Sequence, residues 1–273
     1  MKIPAFTTKK ELFKFLVDNE DRIIAAKKAA IKIADAVSFG AFTYEKDELA
    51  DKANNPVKED VTELRVKAVI NTTNLMDSHG DVHIPGLWKK SLKENKDIWH
   101  DQEHKHGFDS TISDYEDLKA STETMTWKDL GQKFEGETEC LIFDSLVKQD
   151  RNSFMFTQYK AGRVKNHSVG MQYVKIVTCI SDKSYTPQFQ NWEKYFPMVA
   201  NKEEAEAEGY FWAVLEAKAI EGSAVKRGSN WVTPTLENNM KSEPSEDTPQ
   251  EPVKTTQLTS EEIIKQINKH FNN

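Results

Sequence analysis

A serine and a glutamate, both in strand-like apolar sequence, are the residues of this chain best suited to covalent chemistry. Ser168 stands in the pentapeptide NHSVG, residues 166–170, and Glu221 begins the run EGSAV about fifty residues later. A serine hydroxyl becomes a nucleophile when a histidine takes its proton and a carboxylate orients that histidine. A serine peptidase is therefore the leading hypothesis, and the candidate bases cluster at His100, His104 and His106.

The neighbours of Ser168 refine this hypothesis. Gly170 has no side chain, so a substrate carbonyl could approach the backbone there, close to a donor for the oxyanion. His167 is adjacent to Ser168, but successive side chains of a strand point to opposite faces, which argues against His167 as the base. His79 and His83 lie in turn-rich sequence, and solvated or capping roles are expected for them.

Three segments of the chain carry a recognisable pattern. Residues 77–86, DSHGDVHIPG, look like an Asp, Gly-Asp, Pro-Gly signature, and residues 166–171 look like a Ser-Ile/Val-Gly-Phe/Met segment. Residues 221–230 fit Glu-x-Ser-x-Val-x-x-x-x-Asn, a final core strand and the turn after it. In this order, across residues 62–235, the segments resemble the prohead (capsid maturation) serine proteases of tailed phages.

This resemblance implies a fold and a role. Members of the family have a fold similar to the herpesvirus assemblin, a compact β-barrel with flanking helices. They cut the scaffold and the major capsid precursor inside the immature shell, and often cut themselves. By this likeness the chain is expected to be a serine endopeptidase of the prohead, in the host cytoplasm. Its expected partners are the capsid precursor, the scaffold segment and other copies of itself, with no cofactor, metal, membrane or direct nucleic acid.

The resemblance also guides the choice of base. His104 is preceded by Gln-Glu and followed, after a short loop, by residues 111–113, which look like the family's His, short loop and Ile-Gly strand entry. His100 is the rival, because family members often have a His-Asp pair where His100 precedes Asp101. We predict His104 as the base and keep His100 as the alternative.

A carboxylate is the available candidate for the third catalytic role. Assemblin has a second histidine there, but in this chain no histidine follows His167 until His270. Glu221 is the predicted orienting acid, which would hold the imidazole and stabilise its charged form, and Glu216 is the competitor. The oxyanion donor is expected near residues 226–228, Lys-Arg-Gly, by likeness to an Arg-containing loop of the assemblin-like enzymes.

The composition fits a soluble protein with one buried core and appendages. The chain has 273 residues, of which 38% are hydrophobic and 30% charged, and its net charge is −7. That charge argues against free nucleic acid as the main partner, and no apolar stretch approaches the roughly 18 residues that span a bilayer. The N-terminal residues lack a signal-peptide core. Cys140 and Cys179, the only cysteines, are expected to be buried free thiols.

The elements that must position the candidate residues are mainly strands. A Thr8–Glu11 capping box predicts a helix that runs to about residue 37. Apolar periodicity predicts strands at 64–70, 111–120, 137–147, 164–180 and 210–221, and helices at 86–96, 152–160 and 202–208, the last capped by Asn201. Residues 181–196 are predicted to be irregular. Because strands and helices do not alternate regularly, we predict a mixed α/β, strand-rich fold rather than a doubly wound one.

The composition divides the chain into four parts. Residues 1–56 are predicted to form an N-terminal helical arm and linker, and residues 57–235 the protease core. Residues 236–258 are acidic and proline-containing, with too few apolar side chains to offset the entropy of ordering, so a disordered linker is expected. Residues 259–273 predict a short amphipathic helix that needs a docking partner. We expect this tail to recruit the enzyme to its precursor substrate.

Two hypotheses from other classes stay open. His79 and His83, like His100 and His104, are four residues apart, as are two imidazoles that share a metal ion on a helix. A metal-dependent hydrolase is disfavoured because neither pair has the His-Glu-x-x-His arrangement and Pro85 follows the first pair. A non-catalytic scaffold or capsid-assembly protein is favoured by the N-terminal helix, the acidic linker and the terminal helix.

Overall fold

The computed structural model describes residues 3–32 and 61–240, which adopt a mixed α/β, strand-rich fold. The helices are α1 (Lys9–Asp18), α2 (Glu20–Ala29), α3 (Lys89–Glu94), α4 (Ser153–Lys160), α5 (Thr186–Tyr195) and α6 (Lys202–Glu208). The strands are β1 (Ile31–Lys32), β2 (Glu63–Thr72), β3 (Asp81–His83), β4 (Trp99–Gln102), β5 (Thr111–Ser113), β6 (Leu118–Thr126), β7 (Glu137–Lys148), β8 (Asn166–Ile180), β9 (Tyr210–Val225) and β10 (Thr235–Met240). None of the helices in these two ranges is long and apolar enough to cross a membrane.

The strands form two sheets. The first has the order β1-β8-β9-β4-β5, with β3 also paired to β9, and the second has the order β10-β2-β7-β6. Strands β3 and β4 run parallel to β9, whereas β8 runs antiparallel to it. For the described strands, these two open sheets take the place of the closed barrel that the resemblance implies.

The core lies between the two sheets. Leu64, Val66, Ala68 and Ile70 alternate along β2 and are all buried in the main core, as their period of two predicts. Gly222 on β9 marks the inner face of the first sheet, because an added Cβ would overlap the ring of Phe143 and lie 2.9 Å from Ile70. Side chains of the first sheet that point the other way face outward from this core.

The N-terminal helices pack on the main core through buried apolar side chains. The Thr8 capping box is present, but one long helix was a wrong prediction, since the chain leaves helical geometry at Asn19. The Asn19 side chain donates to the Phe15 carbonyl, which competes with continuation of the helix. Residue Ile31 of β1 pairs with Gln172 of β8, so this segment extends the sheet that carries Ser168. The predicted continuation to residue 37 lies outside the described residues.

Three other predictions need correction. Residues 181–196 contain α5, whose buried Gln188, Trp192 and Tyr195 lie four and three residues apart on one helix face. The predicted strand at 111–120 is interrupted by a 3₁₀ turn between β5 and β6. Helix α6 is present, but the Asn201 side chain does not cap it and instead bonds the backbone of Met76.

The C-terminal boundary of the core also moves. Strand β10 pairs with β2 from Thr235 opposite Ala68 to Met240 opposite Leu64. The first residues of the predicted linker at 236–258 therefore belong to the second sheet, because backbone pairing in a sheet needs few apolar side chains. The rest of that linker and the predicted helix at 259–273 lie outside the described residues.

Candidate active site

His104 and Glu221 form a buried hydrogen-bonded pair. The distance from His104 Nδ1 to Glu221 Oε1 is 2.6 Å, and the two side chains are 5% and 1% exposed. A carboxylate accepts at this distance, which assigns the proton to Nδ1. In the described part of the chain His104 Nε2 has no hydrogen-bond partner. With the proton on Nδ1, the buried Nε2 carries the lone pair, which is the tautomer that a general base requires.

Ser168 lies on the same sheet face as Glu221. In the antiparallel pair β8–β9, Ser168 is opposite Ser223 and Gly170 is opposite Glu221. Opposite residues, and residues two apart on one strand, project to the same face. Ser168 is 5% exposed, and no hydrogen bond joins it to His104 among the described residues. Bonds of this kind in unliganded enzymes often tighten only when substrate binds.

Gly170 has a different role from the one predicted. An added Cβ would overlap Glu221 Oε1 and lie 2.8 Å from Glu221 Cδ. The space above Gly170 therefore holds the glutamate carboxylate, and the interpretation that it admits a substrate carbonyl was wrong. Any side chain at this position would displace Glu221, and with it the hydrogen bond to His104.

The backbone of His104 is held in an unusual conformation. Glu103 and His104 have φ values of 53° and 57°, in the left-handed region that residues with a side chain seldom adopt. Two bonds to β9 hold this turn: the Glu103 N–H donates to the Ala224 carbonyl, and the His104 N–H donates to Ser223 Oγ, both at 3.0 Å. Such strained positions persist only where the surrounding structure imposes them, and they cluster at functional sites.

His100, the rival base, lies on the inner face. It is paired with Gly222 in the parallel β4–β9 ladder and is fully buried. Its Nδ1 is 2.9 Å from Ser145 Oγ, and its Nε2 is 3.1 Å from the Tyr159 hydroxyl, which also contacts His167 Nε2 at 2.9 Å. Burial lowers the pKa of both histidines, that of His167 to about 4. Both therefore belong to a polar network inside the core.

Glu216, the rival acid, lies near the surface. Its carboxylate is 3.3 Å from Lys90 Nζ, and the two side chains are 30% and 60% exposed. The carboxylate of Glu216 is therefore paired with a lysine at the surface rather than with a histidine. Of the two glutamates, Glu221 is the one that the structure joins to a histidine.

The sequence predicted a solvated or capping role for His83, but His83 is buried in a hydrogen-bonded chain. Asn71 Nδ2 is 2.9 Å from His83 Nδ1, and His83 Nε2 is 3.4 Å from the Tyr173 hydroxyl, which donates to Asp81 at 2.8 Å. Lys27 of α2 pairs with the same Asp81 at 2.5 Å. Through Asp81, this network connects helix α2 to Tyr173 of β8.

His79 lies in the same cavity as Ser168. Both residues line a small cavity together with Asp77, Ser229 and Asn230. His79 is partly exposed, and its Nδ1 lies 4.0 Å from Asp77 Oδ2, too far for a hydrogen bond. The other carboxylate oxygen, Asp77 Oδ1, accepts the backbone N–H groups of His79 and Asp81. The His79–Asp77 geometry therefore orients an imidazole less firmly than the His104–Glu221 pair does.

The predicted oxyanion segment, residues 226–228, runs beside Ser168. A Cβ on Gly228 would lie 2.9 Å from the carbonyl oxygens of His167 and Asn230 and 3.6 Å from Ser168 Cβ. Only a residue without a side chain fits this close backbone contact. The turn therefore passes next to the candidate nucleophile.

Neither four-residue histidine spacing falls on a helix. His79 precedes β3 and His83 is its last residue, whereas His100 lies in β4 and His104 in the turn after it. In the described ranges, no three or more His, Cys, Asp or Glu side chains come together as a metal site. Cys140 and Cys179 are buried free thiols, as predicted, and burial raises the pKa of Cys140 to about 12.

Two functional candidates were missed by sequence reasoning. Ser223 Oγ donates to Glu221 Oε2 at 2.7 Å, and its position two residues after Glu221 on a strand was the available signal. Asp101 contacts His106 Nδ1 at 3.2 Å. Burial and the charge of Glu221 raise the pKa of Asp101. The His-Asp pair marks Asp101 only as the neighbour of His100, because its proximity to Glu221 arises from the parallel pairing of β4 with β9.

A serine, a histidine with a free Nε2 and a carboxylate on one face are the groups that acyl transfer requires. Comparisons with protein-family models, with curated proteins and with solved structures found no match to this chain.

Proposed function

We propose that this protein is a serine endopeptidase in which Ser168 is the nucleophile, His104 the general base and Glu221 the orienting acid. The observation that carries the proposal is the buried 2.6 Å bond from His104 Nδ1 to Glu221, formed on the sheet face that also bears Ser168. A buried carboxylate on Nδ1 selects the tautomer with a basic Nε2 and stabilises the imidazolium that forms during the reaction.

The chemistry follows from these roles. Ser168 Oγ attacks the scissile carbonyl while its proton passes to His104 Nε2. The tetrahedral intermediate collapses to an acyl-enzyme as His104 gives that proton to the leaving amine. Water then attacks the ester carbonyl while His104 takes its proton, and His104 returns that proton to Ser168 Oγ as the C–O bond breaks and the carboxylic acid product leaves. Glu221 stays ionised throughout and stabilises the positive charge on the imidazole.

The substrate that we propose is the capsid precursor of a tailed phage, with its scaffold segment and the enzyme itself, processed inside the prohead. The support is the resemblance of three segments to the prohead proteases, together with their proximity in space. The segment at 77–86 includes β3, which pairs with β9, and its Ser78 N–H is 3.4 Å from the Ser229 carbonyl. We also propose that the two sheets and their flanking helices are a variant of the assemblin-like fold.

A covalent probe tests the catalytic assignment without knowledge of the substrate. The protein is incubated with a fluorophosphonate, which labels a serine only when a base activates it, and the modified peptide is located by mass spectrometry. Labelling at Ser168 is expected in the wild type, with loss in Ser168→Ala and a large decrease in His104→Gln. Ser145→Ala, a buried serine on the inner face, is the matched control and should label normally. A folded wild type without a label at Ser168 contradicts the proposal.

A further inference from the structure

Ser223 joins two members of the candidate site through a single hydroxyl. Its Oγ donates to Glu221 Oε2 at 2.7 Å and accepts the backbone N–H of His104 at 3.0 Å. The directions are fixed, because an amide N–H can only donate and an ionised carboxylate can only accept. Ser223 is fully buried, so water cannot replace either bond without rearrangement.

The bond to Glu221 controls the orientation of its carboxylate. One oxygen, Oε1, accepts from His104 Nδ1, and the other, Oε2, accepts from Ser223. With both oxygens engaged, rotation of the carboxylate about its terminal torsion would break two charge-assisted bonds. The plane in which Glu221 receives the imidazole is therefore set by Ser223.

The bond to the backbone controls the position of the imidazole. The His104 N–H is held by Ser223, and the preceding N–H, from Glu103, is held by the carbonyl of Ala224. Two consecutive residues of β9 thus stabilise the two consecutive left-handed residues of the turn. Without the acceptor at Ser223, the turn loses one of the two bonds that offset the cost of this conformation.

We infer that Ser223 is a positioning residue of the proposed peptidase. It fixes the carboxylate of Glu221 and the backbone of His104 in position relative to each other. This inference rests on the proposed function. Ser223 acts through Glu221 and His104 and is not itself the nucleophile. Ser223 also lies directly opposite Ser168 in the β8–β9 ladder, so the pairing of these two strands fixes where the nucleophile lies relative to Ser223.

The test compares four variants of the full chain. Ser223→Ala removes both bonds, and Ser223→Thr keeps the hydroxyl and serves as the rescue variant. Glu221→Gln keeps the shape of the acid but removes its charge. Ser145→Ala is the matched control, because Ser145 is a fully buried serine whose hydroxyl also contacts a histidine, His100, but on the inner face.

The first readout is the imidazole Nδ1–H proton of His104, observed by NMR in protein labelled with ¹⁵N-histidine and assigned with His104→Gln. A proton bound to a carboxylate at 2.6 Å resonates far downfield and exchanges slowly with water. In Ser223→Ala this signal should move upfield or broaden, and in Ser223→Thr and Ser145→Ala it should remain. An unchanged signal in folded Ser223→Ala overturns the inference.

The second readout is turnover of a peptide substrate. Ser223→Ala should lower kcat by about 10- to 100-fold with little change in KM, as expected for a lost bond to a buried charge. Ser223→Thr should recover most of kcat. The effect of Ser223→Ala should largely disappear in a Glu221→Gln background, because both substitutions remove the same restraint. Independent effects of the two substitutions would assign Ser223 a structural role alone.

The two proposals fail in different ways. If Ser168 does not label and no peptide is cleaved, the peptidase assignment fails, while the NMR signal still reports whether Ser223 positions the His104–Glu221 pair. If the wild type is active and Ser223→Ala retains its kcat, the positioning role fails and the peptidase assignment stands. Covalent labelling at Ser223 in place of Ser168 would contradict both assignments.

Discussion

Ser168 lies directly opposite Ser223 across the antiparallel pair β8–β9. The pairing puts the candidate nucleophile on the face that carries Glu221 and leaves His167 on the inner face, with its ring against Tyr159. A slip of one residue in this register would exchange the two faces and bury Ser168 in the core. The register of one strand pair thus decides which residues can meet.

Replacement of the nucleophile should abolish processing. Ser168→Ala removes the only group that we expect to form the acyl-enzyme, so cleavage of the capsid precursor and of the protein itself should fall by about a thousandfold or more. The assay is co-expression with a major capsid precursor, followed by mass spectrometry of the products. Wild-type processing by this variant would exclude Ser168 as the nucleophile, whereas retained shell assembly would show a separate role in assembly.

His104, His100 and His79 should differ in their effect on catalysis according to their geometry. His104→Ala should lower kcat by about 100- to 10,000-fold, the usual contribution of a general base. His100→Ala should act mainly on stability, because it removes the buried partner of the Ser145 hydroxyl and one of the buried partners of Tyr159, at a cost of about 1 to 3 kcal/mol in unfolding free energy.

His79→Ala should leave kcat close to the wild-type value, although His79 lines the cavity next to Ser168. Rates of peptide cleavage and urea unfolding curves, measured on all three variants, separate the effects. A larger loss of kcat in His79→Ala than in His104→Ala would transfer the role of base to His79.

A methyl group at position 170 should displace Glu221 and thereby lower activity. In Gly170→Ala the new Cβ would occupy the space of the Glu221 carboxylate, so Glu221 must move away from His104. We expect a loss of kcat comparable to that of Glu221→Gln, together with loss of the downfield His104 proton in the NMR spectrum. Glu216→Gln, which alters the rival acid at the surface, is the control and should keep both properties. Normal activity in Gly170→Ala would show that catalysis does not need the Glu221 carboxylate in its place beside His104.

Acid should destabilise the fold through the buried histidines. The pKa of His167 falls from 6.5 to about 4 on folding, because burial disfavours its charged form. As pH falls below about 6.5, the unfolded chain binds a proton that the folded chain does not, so the free energy of unfolding decreases. The loss reaches about 3 kcal/mol for His167 below pH 4 and is absent above pH 7, and the lowered pKa of His100 adds to it.

Urea unfolding at several pH values between 7 and 4 checks this dependence. His167→Gln cannot bind a proton, so its unfolding free energy should fall less steeply with decreasing pH than that of the wild type. Val66→Ala, which creates a cavity in the core without removing a titratable group, should lower stability by a similar amount at every pH. Equal slopes for wild type and His167→Gln would refute the assignment.

Two truncations should distinguish the contribution of β10 to stability from the contribution of the C-terminal tail to recruitment. Removal of residues 242–273 leaves β10 in place, so activity on a short peptide should be retained, while incorporation into immature shells should decrease because the tail no longer raises the local concentration of substrate. Removal of residues 236–273 also deletes most of β10 and should lower the melting temperature. Quantitative mass spectrometry of purified shells decides the recruitment role, and equal incorporation of full-length and truncated protein would argue for a dispensable terminus.

Local patterns in the sequence were enough to predict the main elements. The alternation along β2, the long apolar runs of β7, β8 and β9, and the capping box of α1 each depend on residues close together in the chain, and the structure contains all of them. Helix α5 was missed because its buried face consists of polar and aromatic residues, such as Gln188 and Tyr195, rather than aliphatic ones. Strand β10 was missed because its stability comes from pairing with a partner strand more than 160 positions away in the chain.

The sequence alone determined that Ser168, a histidine and a carboxylate were available in strand-like surroundings, since residue type and strand period are local properties. Only the tertiary structure decided that His104 rather than His100 meets Glu221, that Gly170 makes room for that carboxylate, and that Ser223 holds both. These relationships depend on the register between β8, β9 and β4 and on a left-handed turn. The contacts of His104 with Glu221 and Ser223 join residues more than 100 positions apart, and that of Gly170 with Glu221 joins two different strands. No periodicity within a single segment encodes them.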